Sequence, residues 1–340
     1  MSMEQGRFGM KDRDFFGDPE GGLAGGVRSL MKAGFRGIAL DAPHVVSPTE
    51  RTQCPVLIAH VDLARKLVQS PVSRHCVVIA TDLLRHRTYA APAVVQRTRG
   101  DENQPLELPS PTQVSAQSYQ VDLRDRLGLP WDRGDLRVHA VSRDQVSNPV
   151  AIRLGAADDS YRDPVAEAFI EAEWAKMSPP AIHPPPGVPF PSYVKTLGSP
   201  AVPEEPYVSI SAPRLVESHA GASVVVHGSF RVRSTSVQTV GPEHRASYDE
   251  PVPAGIVTIA LILTGSDGAG PEQVNLFVPV FGQPEGGDHV GYFAVDLAAH
   301  VSLLARARTW FLYVACDDIL VGPLLIAVVT PEQLPSAAER

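Results

Sequence analysis

The chain has 340 residues, 44% of them hydrophobic and 20% charged, and a net charge of -8. That length accommodates two domains, and the acidic balance excludes the basic footprint by which proteins displace counterions from nucleic-acid phosphates. Three cysteines (Cys54, Cys76 and Cys316) with no CxxC pair exclude a disulfide framework and a thiolate zinc site, and read as buried structural thiols.

The first residues, MSMEQGRFGMKDRDFF, carry charges early and no apolar h-region, so they do not read as a secretory signal. No run approaches the length that spans a bilayer, which places the expected location in the cytoplasm. Residues 1–50 are interrupted by glycine and read as an extended N-terminal arm with room for a short helix over 27–33. Phe15, Phe16, Leu30, Met31 and Phe35 are too apolar for a solvated tail, so the arm is expected to dock on its own chain or on a partner.

From residue 51 the texture changes to short β-branched runs, PVLIAHVDL, HCVVIATDLL, SYQVDL, DLRVHAV and PVAIRL, separated by turn residues. Residues 51–155 therefore read as a first β-sandwich domain. Residues 156–206 join it to the next. Asp163-Pro164 caps a short linker helix, and a stretch dense in the chain's 32 prolines follows as semi-rigid extended connector. Strand texture resumes over 207–330, a second sandwich, with 331–340 as a C-terminal tail. The predicted fold class is all-β, two tandem β-sandwich domains.

The two halves share a phrase, YQVDL at 119–123 and FAVDL at 293–297. Sliding 118–154 onto 292–328, an offset of 174 without a gap, matches seven of 37 positions: Val121/Val295, Asp122/Asp296, Leu123/Leu297, Leu129/Leu303, Asp144/Asp318, Pro149/Pro323 and Ile152/Ile326. We read an internal repeat in which Asp122, Asp296, Asp144 and Asp318 fix turns, since a carboxylate at a strand end accepts from nearby backbone N–H groups. The copies differ on their second face. Leu136, Val138 and Ala140 alternate with Arg137 and His139 in the first, predicting one buried and one solvated face. In the second, Trp310, Leu312 and Val314 alternate with Phe311 and Tyr313, and the last strand changes from Val150, Ile152 and Leu154 around Arg153 to Leu324, Ile326 and Val328 around Leu325 and Ala327. A sheet apolar on both faces must be covered. Trp310, Phe311, Tyr313 and Leu325 are therefore the candidate partner interface, the covering element being the arm, the linker helix, the sister domain or another chain.

Catalytic signatures are missing: no phosphate loop, no HExxH, no GxSxG and no dinucleotide fingerprint. The histidines, among them His183, His219, His227 and His289, form no tight ligand pair, so no cofactor, metal or catalytic residue is assigned. The loops DEPVPAG and PEGGDHVG are candidate contact loops. The functional expectation is a non-catalytic accessory subunit, assembly factor or structural component that associates with a protein partner or with itself, and with neither nucleic acid nor membrane. An enzyme or metal-binding protein with a loop-borne His/Asp site is the alternative, and a glycan or small-molecule module a further one.

The segment GYFAVDLAAHVSLLARARTWFLYVACDDILVGPLLIAV resembles the end of the C-terminal β-sandwich domain of polyphenol oxidases, the tyrosinase family. The corresponding parts are Phe293–Leu297, the leucines at 303–304, the apolar strand Trp310–Cys316, the acidic turn Asp317–Asp318, and Gly322–Val328. The family's Lys-Phe-Asp-Val signature and its paired copper-binding histidines are absent. The resemblance implies an accessory or shielding domain, which in that family packs over an oxidase, without the oxidase.

Overall fold

In the computed structural model, residues 19–69, 75–93, 110–155, 199–219, 221–238, 255–268, 270–280, 286–305, 307–330 and 332 are described. The linker helix expected from Asp163 and most of the proline-rich connector lie outside these residues, as do Phe15 and Phe16. The described chain is dominated by strands and forms two compact units, each a β-sandwich.

The first sandwich is built from β1 (Gly37–Asp41), β2 (Val45–Val46), β3 (Pro55–Leu63), β4 (Val77–Asp82), β5 (Arg87–Pro92), β6 (Val114–Asp122), β7 (Gly134–Ser142), β8 (Gln145–Val146) and β9 (Val150–Leu154). They form a three-stranded sheet, β1-β3-β6, and a larger sheet, β2-β9-β7-β4-β5, with β8 paired to β7. The second sandwich uses β10 (Tyr207–Ser211), β11 (Leu215–Glu217), β12 (Val225–Arg233), β13 (Gly255–Gly265), β14 (Glu272–Val280), β15 (Asp288–Asp296), β16 (Arg308–Cys316) and β17 (Ile319–Val329). Its sheets are β10-β12-β15 and β11-β17-β16-β13-β14. The two orders are the same, position for position. Even the uncommon pairing recurs, since the short edge strand is parallel to its neighbour in both, β2 with β9 and β11 with β17.

Strands β1 and β2 fall inside the stretch 1–50 that the sequence presents as an arm, so the first sandwich starts at Gly37 rather than at 51. Flanking glycines hide β1 from a pattern search, yet Ile38 and Leu40 are core residues. Of the described residues in that stretch, 19–36 precede the sheets. Helix α1 (Pro19–Lys32) closes on Gly34, whose φ of 74° allows Phe35 N to donate to Leu30 O at 3.0 Å, a C-cap that suits glycine. Leu30 is buried against Ala39 and Val61, with Met31, Phe35, Val114 and Ala116 around it. The helix thus docks its apolar side on the outer face of the β1-β3-β6 sheet of its own unit.

Alternation sets both cores. In the first, Cys54, Val56 and Ile58 face Leu136, Val138, Ala140, Ile152 and Leu154; in the second, Val226, Phe230 and Val232 face Leu261, Trp310, Leu312, Val314 and Ile326. Glycine shapes the second core. Gly228 pairs with Phe293 and Phe230 with Gly291 across the β12–β15 ladder, and a Cβ on either glycine would overlap the facing ring. Five of the seven repeated identities are apolar or proline, and the four apolar pairs (Val121/Val295, Leu123/Leu297, Leu129/Leu303, Ile152/Ile326) are all core residues.

The repeated aspartates end β6 and β15. Asp122 accepts from Arg124 N at 3.1 Å, as cap of the short helix α2 (Leu123–Leu127), and from Cys54 N at 2.9 Å. Asp296 accepts from Ala298 N at 3.1 Å and from Val224 N at 2.8 Å. Each is reinforced by a backbone bond beside it, Leu123 N to Cys54 O and Leu297 N to Val224 O. One carboxylate therefore turns its own strand end and pins the start of the neighbouring strand. The hairpin tips correspond as well: Arg143 and Asp317 hold φ of 53° and 48°, with Asp144 and Asp318 exposed just after them.

Asp296 has one further partner, Ser223 Oγ at 2.8 Å, whereas the second oxygen of Asp122 has none and Gln53 stands at the equivalent place. Burial pushes the Asp296 carboxyl up, but the bonds from Val224, Ser223 and Ala298 outweigh it and hold the pKa below the usual value. Asp122→Ala and Asp296→Ala leave partly buried N–H groups without acceptors and are expected to cost about 1–3 kcal/mol each in urea unfolding. Gln53→Ser supplies the missing donor and is expected to gain about 0.5–1 kcal/mol.

Candidate functional site

Of the four candidate interface residues, three are buried within the chain. Trp310 points into the second core, 2% exposed, its Nε1 donating to Leu303 O at 3.2 Å and the Arg308 guanidinium 4.9 Å from its ring centre. Phe311 and Tyr313 lie on the opposite face of β16, as the alternation predicts, and are 7% and 0% exposed. Opposite Tyr313, β17 breaks register, and Gly322 fills the gap at a φ of 126° where a Cβ would meet Leu312 O at 2.7 Å. Leu325, the cross-strand partner of Phe311, is 48% exposed. The open surface of this face is therefore its β17–β11 edge, not its centre.

A second leucine joins Leu325 there. On β11, Leu215 is the register partner of Ala327, two residues along from Leu325 on the same face, and is 52% exposed. The corresponding corner of the first sandwich holds Val45, Ala151 and Arg153. Both corners are exposed; of the matched positions Val45/Leu215, Ala151/Leu325 and Arg153/Ala327 only Arg153 is charged, while Glu217 follows Leu215 two residues along β11. The sequence pattern located Leu325 but not Leu215, because β11 has three residues and leaves no periodic signal.

The outer face of β7 differs from its expected solvated character. Arg137 is partly exposed, but His139 is 9% exposed, and Val141 and the neighbouring Ile79 are buried. Alternation identifies the face that meets the partner sheet; it carries no information on what the rest of the chain brings over the other one. His139 pays for this position in its titration: burial first, and the Arg137 charge second, lower its pKa to about 4, against a smaller opposing bond with the Ser147 backbone.

The other chemical groups do not assemble into a reaction centre. His60 is buried on β3 with the Gln145 side chain beside it, the two making no hydrogen bond of regular geometry. Burial lowers its pKa and the Asp62 carboxylate opposes that shift. His289 faces the second core, its pKa also lowered by burial. No three His, Cys, Asp or Glu side chains converge as a metal site among the described residues. His183 and most of the DEPVPAG loop lie outside them, while Gly286–Gly291 enters β15. All three cysteines are buried, the thiols of Cys54 and Cys76 pushed up to about 12 and Cys316 well above its usual value, so they have no thiolate character at neutral pH. Among the described residues no helix is long and apolar enough to cross a membrane.

No protein-family model matches the chain, and no curated protein matches it. Among solved structures, similarity is found to a chain described as "Structural basis of neurohormone perception by the receptor tyrosine kinase Torso", at 6% identity and a TM-score of 0.18 over 84% of this chain and 72% of that one. A chain described as "BspA_C_mut" gives 8% and 0.16, covering 84% and 93%. One described as "Biofilm associated protein - BSP domain" gives 8% and 0.17, covering 86% and 58%. Scores at this level carry no functional argument.

Because the folded His139 pKa is depressed, the unfolded chain takes up a proton first as the pH falls. The stability contributed by neutral His139 is complete above about pH 6.5 and is lost between about 6.5 and 4, by a few kcal/mol at most. Replacing His139 with Leu is expected to flatten the unfolding free energy across that window, read by urea titrations at pH 7.5, 6, 5 and 4.

Proposed function

We propose that the protein is a non-catalytic accessory, assembly or structural component that acts in the cytoplasm through protein–protein contact, with the apolar edge of the β11–β17 face as its contact surface. The observation that carries this reading is the exposed pair Leu215 and Leu325, at 52% and 48%, on a corner where the first sandwich exposes Arg153. Burying each leucine under a partner contributes roughly 1.5–3 kcal/mol. Leu325 pairs with Phe311, and further along β17, beyond Gly322 and Pro323, Leu320 is half-buried opposite Ala315. The resemblance of residues 291–328 to the shielding domain of polyphenol oxidases favours the same class of role. The rival reading, a metal-binding protein or enzyme with a loop-borne site, predicts stoichiometric metal in the purified protein; finding copper, zinc or iron at one per chain would replace the contact reading.

Light scattering across micromolar concentrations, together with pull-down from the native host, tests the contact. Association is expected in wild type and is expected to be lost in Leu215→Lys and Leu325→Lys, with thermal stability changed by no more than about 0.5 kcal/mol because both positions are exposed. Tyr313→Lys is the contrast: it places an uncompensated charge at a buried position and is expected to cost more than about 3 kcal/mol, so it reports on folding rather than on contact. A monomer at every concentration that also recovers no partner defeats the proposal.

A further inference from the structure

The two small sheets are covered on their outer faces by different chemistry. Across β1-β3-β6 lies the apolar side of α1, on Ala39 and Val61. Across β10-β12-β15 lies residues 199–206, SPAVPEEP, the last part of the proline-rich connector before β10. Ser229 Oγ donates to Ala201 O at 2.8 Å, and Arg231 Nε donates to Pro203 O at 2.8 Å. The acceptors are two residues apart on the strap, and the donors two residues apart on β12, so the segment runs along the strand.

Its prolines recur every third residue, at 200, 203 and 206. That spacing puts them on one edge of a three-residue-per-turn polyproline helix. Pro200, Pro203 and Pro206 are half-buried, as are Ser199 and Val202, while Ala201, Glu204 and Glu205 are exposed. The sheet beneath presents two tyrosines flanking the donors, since Tyr207 is the register partner of Arg231 and Tyr292 that of Ser229. The corresponding positions of the first sandwich are Gly37 with Val61 and Ser118 with Ala59. The second copy therefore differs from the first by two aromatic faces and two hydrogen-bond donors, all on one surface. Aromatic rings that pack against proline, and donors that reach its carbonyls, are what proline-rich ligands require, because proline has no N–H to offer.

We infer that the outer face of the β10-β12-β15 sheet is a recognition groove for a proline-rich peptide of P-x-x-P spacing from a partner protein, occupied in the free chain by its own residues 199–206. Ser229 is 0% exposed and its hydroxyl is satisfied by the strap, so the groove is a formed polar site. Tyr207 remains 47% exposed, leaving an aromatic face for a longer ligand to cover. The strap is fixed by side-chain donors at Ala201 and Pro203 and enters no strand ladder until Tyr207, which makes exchange with an external segment a local event.

The test uses full-length protein, a labelled peptide SPAVPEEP, and a control peptide of the same composition with the proline spacing scrambled. Peptide binding is read by anisotropy, and release of the internal strap by the mobility of a spin label carried on Glu204→Cys, an exposed strap position. The labelled peptide is expected to bind and to raise the mobility of that label. Arg231→Val and Tyr292→Ser, each alone close to what the first copy carries, are expected to weaken binding about tenfold or more, the equivalent of one charged hydrogen bond. Unchanged label mobility at millimolar peptide overturns the inference and makes the strap a fixed part of the fold. An equal response to the scrambled peptide overturns the P-x-x-P requirement. A doubled mass on strap release identifies a second copy, rather than a partner protein, as the occupant.

Discussion

A β-sheet has two faces, and a sandwich hides one face of each sheet. Every other feature of this chain follows from how the remaining faces are handled. In the first unit the small sheet is closed by an apolar helix seated on Ala39 and Val61. In the second it is closed by a proline strap held at its carbonyls. On the larger sheets, the centre of each outer face is buried, by Ile79 and Val141 in one unit and by Phe311 and Tyr313 in the other, while the parallel edge strand is left open. The cores are interchangeable in kind; the coverings are not.

That contrast separates what a duplicated fold keeps from what it is free to alter. The identities that persist between the halves are the core residues and the clamp aspartates, where a change costs a cavity or an unpaired N–H. The differences gather on the outer faces. There Ala59 and Val61 of the first unit correspond to Ser229 and Arg231 of the second, and Arg153 to Ala327. The two surfaces proposed for contact, one apolar and one rich in donors, both belong to the second unit, and both sit where the two halves have diverged.

Much of the fold was legible because strands write their inner face at a period of two. Leu136, Val138 and Ala140, or Trp310, Leu312 and Val314, need only their spacing to be placed in a core. Outer faces have no such signal: nothing local distinguishes His139, buried, from Arg137, partly exposed, two residues away. Strands of two to five residues are too short for a period, which is why β1 and β2 read as an arm and Leu215 passed unnoticed. The proline spacing at 200, 203 and 206 was visible from the start, but its meaning lay in the donors of β12, residues remote in sequence that only the register brings beneath it.

The aspartate clamps also bear on the order in which the chain folds. Asp122 reaches back 68 residues to Cys54, and Asp296 reaches back 72 to Val224. Closing loops of that length costs chain entropy ahead of the contacts it allows, so neither clamp is expected to nucleate folding. Each is expected to lock its sandwich after the more local ladders, β7 with β9 and β16 with β17, have formed. A carboxylate placed in this way acts late and chiefly slows unfolding, making it a determinant of how long each unit persists once formed.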